Sequence, residues 1–137
     1  MASFVLKNAY LLLNAVDLSD HVKQITVNYS AELKDKTAMS MAGRAKMGGL
    51  KDWSLDIQFL QDFAAAKVDA TVFSIVGTQV AVEVRPDAGA VSATNPKFTG
   101  NGIIESYQPV AGTVGDEALT PVKMVGSDGV ALARATA

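Results

Sequence analysis

Apolar and polar side chains alternate along much of this chain with a period of two, the pattern of strands with one covered face. Ile25, Val27, Tyr29, Ala31 and Leu33 alternate with Thr26, Asn28, Ser30 and Glu32. Trp53, Leu55, Ile57 and Phe59 repeat the pattern against Ser54, Asp56 and Gln58. Val80, Val82 and Val84 do so again as far as Pro86, which has no N–H for a ladder. Weaker strands are predicted over residues 10–16, 98–107 and 119–125, with a short edge strand over 130–132. One-sided alternation favours antiparallel pairing. A single helix of about three turns is expected from residue 62 onward, because Val68, Val72, Ile75 and Val76 fall at helical spacing. Gly77 stands where a C-terminal cap glycine belongs. The predicted fold is α+β and predominantly β: an antiparallel β-sandwich or barrel with one short flanking helix and a long inter-strand loop.

That loop is the segment 34–50, which joins two of the clearest strands and follows neither period. At about 17 residues it is longer than compact domains usually spend on structureless chain. It holds Met39, Met41 and Met47 with Gly43, Gly48 and Gly49. Lys34, Lys36, Arg44, Lys46 and Lys51 oppose one acid, Asp35, so residues 34–51 carry a local net of +4. The whole chain is −2, which leaves −6 for the rest. Methionine suits adaptable contact surfaces. The segment reads either as an arm that orders against a partner, or as a disordered or extended β-hairpin without one. Residues 87–97 and 109–116, rich in Gly and Pro, read as surface turns.

Composition narrows the function classes. A chain of 137 residues with 49% hydrophobic and 19% charged residues is expected to form a single domain over 1–137, with 34–50 as an extended loop or arm. No apolar run approaches the ~18 residues of a membrane span, and residues 9–13 are too short for a signal peptide. The expected site of synthesis is therefore the cytoplasm. The absence of cysteine removes disulfides, thiolate metal sites and Cys nucleophiles, and a single histidine, His21, removes sites built on several imidazoles. A net charge of −2 argues against a nucleic-acid-binding domain.

Candidate catalytic motifs are weak. Ser19, Asp20 and His21 are adjacent, whereas a nucleophilic triad converges from separate elements; Ser19 or Asp20 is expected to cap a turn. Gly100-Asn101-Gly102 lacks the third glycine of a dinucleotide fingerprint, and Gly112-Thr113-Val114-Gly115 lacks Walker residues. The carboxylate pairs Asp116/Glu117 and Asp56/Asp62 have no evident substrate pocket around them. No enzyme, catalytic residue, cofactor or metal site is expected. A basic-loop module gripping a polyanion and a small-ligand barrel or hydrolase stand as competing classes.

Four segments carry a family resemblance. They are Leu18-Ser19-Asp20-His21-Val22, the run from Leu50 through Trp53 to Phe63, the run from Phe73 through Gly77 to Pro86, and Ser92 to Gly100 continuing to Gly112. In this order the chain resembles the major tail tube proteins of long-tailed, siphovirus-type bacteriophages, especially the compact kind found in phages of actinobacteria. The resemblance implies a virion structural protein that self-assembles into homohexameric rings. The rings stack into a hollow tube that conducts the genome into the host during ejection. It also implies other tail proteins as partners (tape measure, terminator and distal tail protein), with DNA passing through the lumen without specific binding, and no membrane segment. The inner tube of a contractile tail or type VI-like system, or a tail-terminator ring, is the alternative reading. On this resemblance Lys34, Lys36, Met39, Met41, Arg44, Lys46, Met47 and Lys51 form an inter-ring stacking loop. Asp56, Glu83 and Glu105, with Gln58, lie on non-core strand faces, and the three acids are candidates for lining the lumen.

Overall fold

The computed structural model describes residues 3–137. Its strands are β1 (Tyr10–Leu13), β2 (Val16–Asp17), β3 (Val22–Asp35), β4 (Lys46–Leu60), β5 (Gln79–Arg85), β6 (Lys97–Tyr107), β7 (Leu119–Gly126) and β8 (Ala133–Ala135). All belong to one sheet ordered β2-β1-β5-β6-β7-β4-β3, with β8 paired to the start of β6. Every strand pair runs antiparallel. The fold is the predicted one: mostly antiparallel β with one short helix.

The sheet curls so that one face encloses the core. Leu11 and Leu13 of β1, Trp53, Leu55, Ile57 and Phe59 of β4, Val80, Val82 and Val84 of β5, Ile104 of β6, and Val122 and Met124 of β7 are buried together. Each fully buried aliphatic side chain contributes about 1.5–3 kcal/mol before entropy is counted. Bulges, one between Ile104 and Ser106 and one between Val22 and Gln24, add the local twist that curling requires. The helix α1 (Val68–Val72), extended by a 3-10 turn over Phe73–Ile75, closes one end by burying Val68, Val72 and Ile75.

Five expectations need correction. The strand expected over 10–16 is a hairpin, because Asn14 and Ala15 take φ 51° and 63° and turn the chain between β1 and β2. The helix is about two turns with its 3-10 extension, not three, because residues 62–67 are held in turns. Asp62 accepts Ala64 N–H at 2.9 Å, and Ala66 takes φ 60°, outside helical backbone. Val76 leaves the helix to bridge Ile104, and Gly77 follows at φ 79° in the left-handed region that a C-terminal glycine serves. The last strand is 133–135, not 130–132, since register with Lys97–Thr99 fixes it. Residues 34–50 are not a loop throughout: Lys34 and Asp35 end β3 and Lys46 opens β4, leaving 36–45 as the connection. Finally, the apolar face of β3 is covered only through Val27, and Tyr29, Ala31 and Leu33 lie exposed beyond it.

Candidate functional site

β3 and β4 form a hairpin longer than the core can cover. Pairing continues from Tyr29↔Trp53 through Ala31↔Lys51 to Leu33↔Gly48 and Asp35↔Lys46, with a bulge between Ala31 and Leu33. Every β4 residue before Trp53 is exposed. At about 3.3 Å per residue, 46–52 carry the hairpin about 23 Å past the last buried position.

The tip is built by local hydrogen bonds. Thr37 N–H donates to Asp35 Oδ1 at 2.8 Å, and Ala45 N–H donates to Thr37 Oγ1 at 2.8 Å. Lys36 N–H reaches Ala45 O at 2.9 Å, while Arg44 Nη1 stands 3.0 Å from Asp35 Oδ2. The Thr37 hydroxyl and N–H, then Arg44, hold the Asp35 carboxyl below the usual carboxylate range. The connection is therefore a defined turn.

Every residue expected in the arm is on this hairpin. Met39 is fully exposed at the tip, and Met41 and Met47 are about half exposed. Lys34 pairs with Glu32, and Lys51 sits 6.0 Å above the Tyr29 ring. Lys36 and Lys46 form no ion pair among the described residues. The periodicity assigned Tyr29 and Leu33 to the core and gave Leu50 no role, yet they are 48%, 62% and 81% exposed on the arm. Alternation marks a face as apolar but does not say whose surface covers it. The outer edge of β3 pairs with no other strand among the described residues, the kind of open edge that recruits another strand.

The candidate lumen acids separate into two places. Asp56 lies on the outer face of β3, β4, β7 and β6, accepting from Asn28 Nδ2 at 3.2 Å. Glu105, at the β6 bulge, lies 3.9 Å from Lys123 of the same face. Gln24, Thr26 and Gln58 make the remainder polar. Glu83 is elsewhere, on the outer face of β5. Arg85 contacts it at 2.7 Å and Lys97 at 4.0 Å, so it presents no bare charge.

The tempting motifs have structural employment. Ser19 Oγ accepts Leu11 N–H at 2.8 Å, while His21 bonds Asp20 and Asp62 at 2.9 Å each, so serine and histidine face different partners. No group of three or more metal-ligating side chains occurs among the described residues, and no helix is long and apolar enough to cross a membrane. An apolar groove of about 380 Å³ opens between Ile25, Val27 and Tyr29 of β3 and Val84, Phe98 and Leu132, and Arg85 and Arg134 also line it.

No family model and no curated protein matches the chain. Solved structures do. A chain in the virion of a native gene transfer agent particle aligns with TM-score 0.75 at 20% identity, covering 96% of this chain and 98% of that one. A chain in the tail of an empty gene transfer agent particle, solved by helical refinement with C6 symmetry, aligns with TM-score 0.65 at 22% identity, covering 85% and 83%. The chain shares the fold of these proteins over nearly its whole length.

Proposed function

We propose that this chain is a structural subunit of a phage-type tail tube, located in the virion, with six copies to a ring and rings stacked along the axis. The observation that carries the reading is the hairpin β3–β4. It projects beyond its own core with apolar residues bared on a preformed strand pair, a surface that is finished only when another molecule covers it. The shared fold with a chain from a C6-symmetric tail supports six-fold assembly. The open β3 edge offers a lateral contact within a ring and the projecting hairpin an axial contact between rings. The polar face bearing Asp56, Gln58 and Glu105 suits a channel wall, because its carboxylates and amides do not hold phosphates as lysines would, and its lysine, Lys123, lies beside Glu105. On this reading the protein is no enzyme and needs no cofactor.

Negative-stain electron microscopy of the full chain across concentrations tests the proposal. Rings with six-fold symmetry and hollow tubes are expected. Replacing residues 36–45 by a short Gly-Ser turn should leave rings and shorten tubes. A chain that stays monomeric at every concentration and binds DNA tightly would overturn it.

A further inference from the structure

We propose that the basic hairpin docks on the opposite end of a second copy of this chain, on the surface built by residues 60–63 and 109–117. This rests on the tube reading above and names the surface that receives the arm.

The two ends of β4 differ in chemistry. At one end stand the hairpin cations. At the other, about 45–50 Å away along the strand, the chain leaves Leu60 into a seam between two loops. Gln61 ties them: its N–H donates to Ala118 O at 3.0 Å, and its Nε2 donates to Pro109 O at 2.7 Å and Tyr107 Oη at 3.1 Å. Tyr107 in turn donates to Asp69 Oδ1 at 2.8 Å, which anchors the seam to α1. The surface is thus preformed, with its backbone held before any partner arrives. Phe63 is 64% exposed and Val110 is 86% exposed beside these bonds, and Val114 is fully exposed.

Acids occupy the same end, tied there through His21, Tyr107 and Lys23. Asp20, Asp62, Asp69, Asp116 and Glu117 stand at this end against Lys23 and Lys67, a net of −3 with His21 counted neutral. Asp116 forms no ion pair among the described residues, whereas Glu117 meets Lys23. The hairpin offers the complement, a net of +2 over residues 29–52 in which Lys36 and Lys46 form no ion pair among the described residues, with methionine and leucine between the charges. Complementary fields of this kind set register and orientation.

Two alternatives fit less well. The apolar groove beside β3 also bares apolar side chains, but Arg85 and Arg134 line it and would repel a basic tip. A polyanion would satisfy the lysines and leave Leu33, Met47 and Leu50 in water. Because like ends repel, the contact is head to tail. Such heterologous contacts do not close and so propagate along an axis.

Reciprocal charge reversal on the full chain tests this. Lys36→Glu with Lys46→Glu reverses the arm, and Asp116→Lys with Glu117→Lys reverses the receiving end; all four positions are exposed. Each pair alone should leave rings but reduce mean stack length by about tenfold, and combining both pairs in one chain should restore it. Wild-type stacks should also shorten as salt rises, since exposed charges are screened. Phe63→Ser with Val110→Ser gives an independent check on the apolar part and should shorten stacks without disturbing rings. Wild-type stack length in both reversed pairs, or no recovery on combining them, overturns the docking surface while the ring reading stands. Absence of rings from the wild type overturns the tube reading itself.

Discussion

Trp53 shows how much of this fold depends on single atoms. Its indole occupies the inner face where β6 and β7 meet, and it fits because Gly100, Gly102 and Gly126 present no Cβ there. A Cβ on Gly100 would fall 2.7 Å from the ring, and one on Gly126 would fall 2.5 Å from Nε1. Gly102 has no more room, between Val125 O and the same ring. Gly100-Asn101-Gly102, which looks like a fragment of a nucleotide fingerprint, is in fact half of a tryptophan socket. Gly126→Ala should therefore destabilise the domain by about 1–3 kcal/mol, the usual range for overpacking. Chemical denaturation should show this as a lower midpoint, and near-ultraviolet circular dichroism should report a displaced indole. Gly43→Ala is the control, since an added Cβ meets nothing within 4 Å, and its stability should be close to wild type. Trp53 Nε1 is buried without a hydrogen-bond partner among the described residues, so the site already carries a polar cost that crowding would increase.

At the scale of elements, strands were legible where alternation and burial coincide, as in Trp53 to Phe59 and Val80 to Val84. Alternation misled where a strand outruns its core: Tyr29, Ala31 and Leu33 have the right period but no cover of their own. The outer half of β4 was illegible for the opposite reason. Lys46-Met47-Gly48-Gly49 has no strand pattern, and its extended state comes from pairing with β3. The receiving end of the molecule was equally hidden, because residues 60–63 and 109–117 are far apart in sequence and are brought together by the Leu60↔Leu119 pairing and by Gln61. The short helix likewise depends on a remote tie. His21, on the 3-10 turn before β3, bonds Asp62 Oδ2 at 2.9 Å, and the Asp62 carbonyl accepts Asp69 N–H at 3.2 Å. His21→Ala should cost about 1–2 kcal/mol as this link between β3 and the α1 approach is lost. Hydrogen exchange should localise the loosening to residues 62–72 and leave the β5–β6 ladder protected.

The whole molecule has a basic projecting end and an acidic capped end, and both are held by carboxylates with depressed pKa values. His21 is the main cause at Asp20. The Ala64 N–H, then His21, lowers Asp62, while Thr37 lowers Asp35 at the hairpin tip. A carboxyl whose folded pKa lies below its unfolded value of about 3.9 stabilises the fold above that pH, and the contribution is lost as pH falls through the folded value. Thermal melts should accordingly show an acid limb beginning below about pH 4. The limb has two sources at opposite ends, and variants can separate them. His21→Ala removes the bonds from His21 to Asp20 and Asp62, so its acid limb should be shallower than wild type. Thr37→Val removes the hydroxyl from Asp35 and should leave the His21-dependent part intact. A double variant should add the two effects, since distant sites with no shared partner are energetically independent. Equal acid limbs in wild type and both variants would show that neither end contributes. Additive flattening would show that the arm and the surface proposed to receive it are stabilised separately, so each can be altered in a tube without unfolding the other.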